Sequence, residues 1–304
     1  MDVFRDVFWD MSRQNKGYYS LAADRGHPLI RLLRQGVYRT NGEFADSRYW
    51  IDTIFRQGLG VHPVLDCVFE ALARAEARLS LRFIPQNSHE ERLTGSFVSE
   101  LEAAFFLLKP SFAALSKDYY GKELDVDFQY FDLSKGGSIE KFTGGDLAVV
   151  FHMDLPDLPP VTRYAAFQVK KMHSSATLDK KQYRLLLENY GEGAMYIFYD
   201  MLFGRLYPPL VVDASQLEGQ SKNNQSTDSF QVSRAEAARG LTFALWVVMQ
   251  LARGSAGVAV DGVKAAVERL EKYDSRKSNI SRLAVVSIGA PIKVRVGESG
   301  VSFE

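Results

Sequence analysis

The chain has 304 residues, 46% of them hydrophobic, enough to bury a sizeable core in one large domain or in a core with a helical extension. Its 37 basic and 37 acidic residues cancel, which excludes a simple polycationic nucleic-acid binder and leaves only a local basic patch. Cys67 is the single cysteine, so no internal disulfide and no cysteine-based zinc site can form; it falls in an apolar helical pattern, as a core residue does.

In chain order, MDVFRDVFWDM carries acids in its first turns and no long apolar run, and does not read as a signal peptide. Residues 1–95 read as a mostly helical extension without a chemical motif. Their clearest segment is His62 to Phe83, where Val64, Val68, Leu72 and Leu79 recur at helical spacing. FVSELEAAFFLLK, from Phe97, predicts a helix with Ser96 as its N-cap and Pro110 ending or kinking it. LDVDFQYFDL, from Leu124, alternates as a half-buried strand does, and DLAVVF, Asp146 to Phe151, reads as a buried strand. After a connection holding Pro156, Pro159 and Pro160 comes the strand RYAAFQVKK from Arg163. Thr177 to Tyr190 is predicted helical, and AMYIFYDM from Ala194 a strand. The polar stretch from Ser215 to Ser229 predicts a mobile loop. Helices are expected over 233–253 and 258–273, then closing strands from Leu283 and Ile292. The apolar run Leu241 to Ala252 is too short to span a bilayer, so no membrane partner is expected and the cytoplasm is the default location.

This order predicts an α/β fold: a mixed sheet flanked by helices. The expected parts are an extension (1–95), a core (96–212), a polar loop (213–232) and a helical region with closing strands packed on the core (233–304).

The chemistry concentrates in GGD, a strand, then FQVKK. Gln168 and Lys170 are two apart on a strand, so their side chains leave one face. If that strand pairs with the one opened by Asp146, a carboxylate, an amide oxygen and an ammonium converge. Phosphodiester hydrolysis needs a divalent cation to polarise the phosphate and activate water, and hard oxygen ligands suit Mg²⁺ or Mn²⁺. Asp146 supplies a charge, Gln168 an oxygen, the Val169 backbone carbonyl a further ligand, and Lys170 a cation for the phosphate. The ordinary alternative is a buried hairpin with a turn aspartate and an edge lysine. Against it, Gln168 is a poor choice within AAFQV unless its face is a site.

GGDLAVVF followed by QVKK resembles the PD-(D/E)xK, or restriction-endonuclease-like, superfamily in its Gln-x-Lys form. The resemblance covers about residues 96–200. It departs from the commonest pattern in having Gly145 in place of proline and Gln168 in place of an acid. It implies a restriction-endonuclease-like sheet and a helix acid, which maps to Glu100, with Glu102 as second choice. It also implies that Gln182 helps orient the site.

Between Pro160 and Arg184 stand Arg163, Lys170, Lys171, Lys180, Lys181 and Arg184 against one acid, Asp179. Lys171, Lys181 and Arg184 are the candidate backbone contacts to nucleic acid, Lys181 and Arg184 sharing a helix face. A solvated helix face is the plainer reading of Lys180 and Lys181. The histidines at 27, 62, 89, 152 and 173 show no metal-ligand spacing. Asp154 and Asp157 read as solvated. There is no P-loop, dinucleotide fingerprint or Gly-x-Ser-x-Gly elbow.

The expected function is a Mg²⁺- or Mn²⁺-dependent endonuclease acting on DNA, with RNA as the alternative substrate, in defence against foreign DNA. A partner protein supplying sensing or targeting, and self-association, are compatible with it. The competing reading is a catalytically silent nuclease-fold scaffold.

Overall fold

A computed structural model of the chain describes residues 62–132, 145–201, 209–217, 228–237, 240–272, 282–290, 292, 294–297 and 300–303. Of the expected N-terminal extension, the part before His62 lies outside them, as does residue 218–227 of the expected mobile loop.

Helix α1, Pro63–Arg82, begins where the apolar spacing places it. Pro63 fits the first helical position, and His62 accepts the Val64 N–H on Nδ1 at 3.2 Å. Its stripe Val64, Val68, Leu72, Ala75 and Leu79 is buried. Helix α2, Glu90–Tyr120, corrects the expectation at both ends. It starts six residues before Ser96 and runs through Pro110. Proline removes one N–H, normally given to the carbonyl four residues earlier. That residue, Phe106, is 74% exposed, so water can take the bond. Leu108 and Phe112, on the other side of the helix, stay in the core. Gly121, at φ 75°, ends it.

The main sheet contains β1 (Asp125–Asp132), β2 (Leu147–Met153), β3 (Val161–Met172), β5 (Ala194–Asp200), β6 (Leu210–Asp213), β8 (Leu241–Thr242), β9 (Val258–Ala259) and β10 (Arg282–Gly289). The order is β1-β10-β2-β3-β5-β6-β8, with β9 also on β3. β10 runs parallel to β2, and β5 parallel to β3; the other neighbours are antiparallel. The protein is thus α/β, with a mixed multi-strand sheet flanked by helices. The edge strand β1 alternates, burying Val126 and Phe128, whereas β5 is buried at every position, as an interior strand between two layers must be.

Several expectations are corrected. The segment from Leu283 does not close the sheet but lies inside it, between β1 and β2. Two further strands, β11 (Val294–Gly297) and β12 (Gly300–Phe303), form their own hairpin. The start of the expected helix 177–190 is strand β4, Ser175–Asp179, whose Ala176 and Leu178 are buried while Thr177 and Asp179 are exposed. β4 pairs with β7, Ser229–Ser233. Helix α3, Lys180–Tyr190, follows, with Asp179 accepting the Gln182 N–H at 2.8 Å as its N-cap. Over 233–253 the single expected helix is broken into one turn α4 (Arg234–Ala237), β8, and α5 (Phe243–Trp246) continuing as a π-turn over Val247–Leu251. Gly240 permits the break, because a Cβ there would press into the Val211 carbonyl. Helix α6, Val263–Lys272, is preceded by β9 rather than starting at 258.

Side-chain parity assigns the layers. Phe167 meets Phe243 and Trp246, and Phe97 of α2 meets Phe243 and Tyr199. Tyr196, the register neighbour of Gln168, meets Tyr183 of α3 on the opposite face. Among the described residues no helix is long and apolar enough to cross a membrane.

Candidate active site

The site arises because β2 is shorter than β3. Their pairing ends at Leu147 opposite Phe167, yet Gln168 to Met172 continue, paired with β5. The Met172 carbonyl accepts the Met201 N–H on the β5 side, so backbone groups of even-numbered residues here face β5. Those of Phe167, Val169 and Lys171 face the side that β2 has left. Two carboxylates occupy that gap. Asp146 Oδ2 accepts the Val169 N–H at 2.7 Å, and Glu90 Oε1 accepts the Lys171 N–H at 2.8 Å. Both satisfy donors that would otherwise lack a ladder partner. The Val169 carbonyl shares this direction.

Gln168 Nε2 donates to Asp146 Oδ2 at 2.6 Å. Gln168 is only 4% exposed, and among the described residues no group donates to its Oε1. The Lys170 ammonium stands 3.9 Å from Glu90 Oε2. Together these residues line a cleft of about 500 Å³. Thr94 and Arg282 also line it, as do Lys171 and Gln182.

The structure therefore brings Asp146, Gln168, Val169, Lys170, Lys171 and Gln182 to one cleft, and it does not bring Glu100. That carboxylate is buried 2.7 Å from Arg78 Nε and 3.6 Å from Arg82 Nη1, in a separate groove between α1 and α2. Glu102 is exposed on the same helix. The acids that α2 carries to the cleft are Glu90 and Glu91, its first two residues, and Glu90 is the one that bonds to β3. The displacement follows from the helix start: with the N-terminus at Ser96, residue 100 falls in the first turns, but the helix begins at Glu90. The acidic pair Glu90 and Glu91 was the available signal, since first-turn acids mark a helix N-terminus.

The basic stretch also divides. Lys181 and Arg184 are exposed on α3 and do not line the cleft. Arg163 Nη1 donates to the carbonyls of Ala256 and Gly257 at 2.9 and 2.6 Å. It lies seven residues from Lys170 along β3, roughly 23 Å at about 3.3 Å per residue. Asp157 is engaged rather than simply solvated: it accepts the Tyr120 hydroxyl at 2.6 Å and lies 3.1 Å from His62 Nε2. That hydroxyl chiefly holds its carboxyl below the usual carboxylate range. His152 lies 2.9 Å from Thr162 Oγ1, and His173 is exposed.

Two phenols beneath the cleft register its charge. Burial pushes the Tyr199 hydroxyl well up; Asp146 and Glu90 add to the shift and Arg282 opposes it. Burial likewise raises Tyr196, with Tyr183 and then Asp146 contributing. Both phenols stay neutral and cannot act as bases at ordinary pH.

Among the described residues, no group of three or more His, Cys, Asp or Glu side chains is arranged to hold an ion. The candidate ligands that line the cleft are all oxygens: the carboxylates of Asp146 and Glu90, with Glu91 beside them, the Gln168 amide oxygen and the Val169 carbonyl. Such a set fits a hard divalent cation that keeps several waters, and does not fit a soft metal. Comparison of the chain with protein-family models, curated proteins and solved structures finds no match. The case for what the cleft does rests on its own residues.

Proposed function

We propose that this protein is a divalent-cation-dependent endonuclease of the PD-(D/E)xK kind, cutting phosphodiester bonds, with DNA as the favoured substrate. The observation that carries the reading is the convergence of Asp146, Gln168 and Lys170 on one strand-end cleft. The cation, Mg²⁺ or Mn²⁺, would be held by Asp146, Glu90, the Gln168 amide oxygen and the Val169 carbonyl; when bound it supplies Lewis acidity toward the phosphate and the attacking water.

The chain's own residues have separable tasks. Lys170 places a positive charge where the transition state gains negative charge. Gln168 fixes Asp146 through its amide N–H, and Val169 adds a backbone N–H to the same oxygen, so the carboxylate is oriented before substrate arrives. Lys171 and Gln182 border the cleft from β3 and α3, where they can meet a nucleic-acid backbone. Lys181 and Arg184, on the exposed face of α3, extend that contact. A role in defence against foreign DNA, with a partner protein supplying the targeting, belongs to the same proposal.

One observation favours a second reading, a silent scaffold: Asp146 and Glu90 both serve as acceptors for orphan backbone N–H groups, which is a structural task. The test is cleavage of plasmid, single-stranded DNA and RNA, each with Mg²⁺, Mn²⁺ or chelator, by wild type, Asp146→Ala and Lys170→Ala. Metal-dependent cutting lost in both variants supports the enzyme. Equal cutting by wild type and Asp146→Ala would place the activity outside this cleft or in a contaminant, and no cutting by any of the three favours the scaffold.

A further inference from the structure

A third base enters the cleft from a part of the chain with no link to the Gln-x-Lys motif. Arg282 opens β10, which lies parallel to β2 with Leu283 opposite Ala148. That register sets Arg282 level with Leu147, one residue past Asp146. Arg282 lines the cleft and is partly exposed. Its charge is felt at the Tyr199 hydroxyl together with those of Asp146 and Glu90.

Strand order fixes where this charge lies relative to Lys170. β2 separates β10 from β3, so the two backbones stand about 10 Å apart at about 4.8 Å per strand. Asp146, at the head of the intervening strand, lies between them. Arg282, in register with Leu147 and Phe167, leaves the face of the sheet opposite to Lys170, so the two cations reach the strand-end cleft from opposite faces as well as from opposite sides of Asp146. A phosphate held by Lys170 would lie on the β3 side, and a polyanion continuing from it around the open end of β2 would pass Arg282.

We propose that Arg282 is a substrate-binding residue that grips a phosphate neighbouring the scissile one, so that the cleft takes a polynucleotide strand rather than an isolated phosphodiester. The inference rests on the nuclease reading of the same cleft. A guanidinium suits the task because it stays charged and presents a planar fork of donors to phosphate oxygens. A neighbouring-phosphate grip strengthens binding without acting on the bond that breaks, so it predicts a change in KM and not in kcat.

The test uses the full-length protein and an oligonucleotide that wild type binds, followed by fluorescence anisotropy in Ca²⁺ and by cleavage in Mg²⁺. Arg282→Ala should weaken binding by about tenfold to a hundredfold, the range for a hydrogen bond to a charged group. It should lower the salt slope by about one and leave kcat within about twofold. Arg282→Lys should recover part of the affinity, which a purely structural role at the strand start would not require. A scan with single methylphosphonate linkages locates the contact: one flanking position should weaken wild type and leave Arg282→Ala unchanged, a non-additive pair. Equal affinity and slope for wild type and Arg282→Ala would overturn the inference while leaving the nuclease reading intact. So would a fall in kcat with unchanged affinity, or additive losses at every linkage. If wild type neither binds nor cuts any nucleic acid, the nuclease reading fails and takes this inference with it.

Discussion

Exchanging Glu90 or Glu100 of α2 for its amide separates a cleft carboxylate from a structural one. Glu90→Gln removes one of the two carboxylates proposed for the cation. A unit negative charge at a ligand distance of about 2.1 Å from a divalent ion contributes roughly 4 kcal/mol even in water-like dielectric, which is about three orders of magnitude in affinity. The same change weakens a hydrogen bond to the Lys171 N–H at a partly exposed position, costing about 1 kcal/mol. Glu100→Gln does the opposite. It strips the charge from a buried carboxylate that faces Arg78 and Arg82. Both arginines reach solvent, so the loss should be about 1–2 kcal/mol, between surface and fully buried pairs, or a few degrees in the thermal midpoint. Cation titration by calorimetry, cleavage rate and thermal melting are measured on both variants. Glu90→Gln should lose cation binding and cleavage and keep its fold, whereas Glu100→Gln should melt earlier and keep both. A folded Glu100→Gln protein that no longer binds the cation, beside a fully active Glu90→Gln, would refute the assignment.

Glu76 gives a pH prediction. Burial pushes its carboxyl up to about 8, against the favourable pull of the Ala244 and Phe243 N–H groups and the Thr242 hydroxyl. The folded state then holds a proton that the unfolded state has released, so the stabilisation is complete below the usual carboxylate range and fades as pH rises toward 8. The slope is about 1.4 kcal/mol per pH unit for one proton. Denaturant unfolding at pH 5, 6.5 and 8 should show this decline in wild type and a flatter profile in Glu76→Gln; identical profiles would remove the basis for it. Gly240→Ala should cost about 3 kcal/mol or more, because the new methyl collides with backbone rather than with a yielding side chain; a thermal midpoint within a degree of wild type would contradict the packing described. Lys181→Ala with Arg184→Ala should weaken nucleic-acid binding and flatten its salt dependence while cation binding stays unchanged. Unaltered binding across a salt series would show α3 to be an ordinary solvated face.

The chemical heart of the cleft was legible because strand parity is rigid: residues two apart share a face whatever the tertiary context. Asp146, Gln168 and Lys170 needed only the adjacency of β2 and β3. Glu90 was not legible for a different reason. The expected helix start rested on Ser96 as its cap, and a six-residue error in that start displaces the expected first turn by about 9 Å along the axis, so the wrong acids are placed at it. Arg282 was hidden by topology, since nothing local to LAVVSIG tells whether that strand lies at an edge or between β1 and β2. The π-turn over Val247–Leu251 was hidden as well: a continuous apolar run suits any buried helix, and the decisive residue, Gly240, acts through contact with β6. The apolar run of β5 gave its interior position directly, because a strand buried on both faces has no polar alternation to show.

The central claim is that the strand-end cleft holds a divalent cation between Asp146 and Glu90. Manganese suits the measurement, being a substitute for Mg²⁺ that can be located by anomalous scattering and counted by electron paramagnetic resonance. Crystals of wild type soaked in Mn²⁺ should show an anomalous peak within bonding distance of the Asp146 and Glu90 carboxylates and the Gln168 amide oxygen. In solution, wild type should bind Mn²⁺ and Asp146→Ala should not. A peak elsewhere on the protein, or Mn²⁺ binding that survives Asp146→Ala unchanged, would contradict the account.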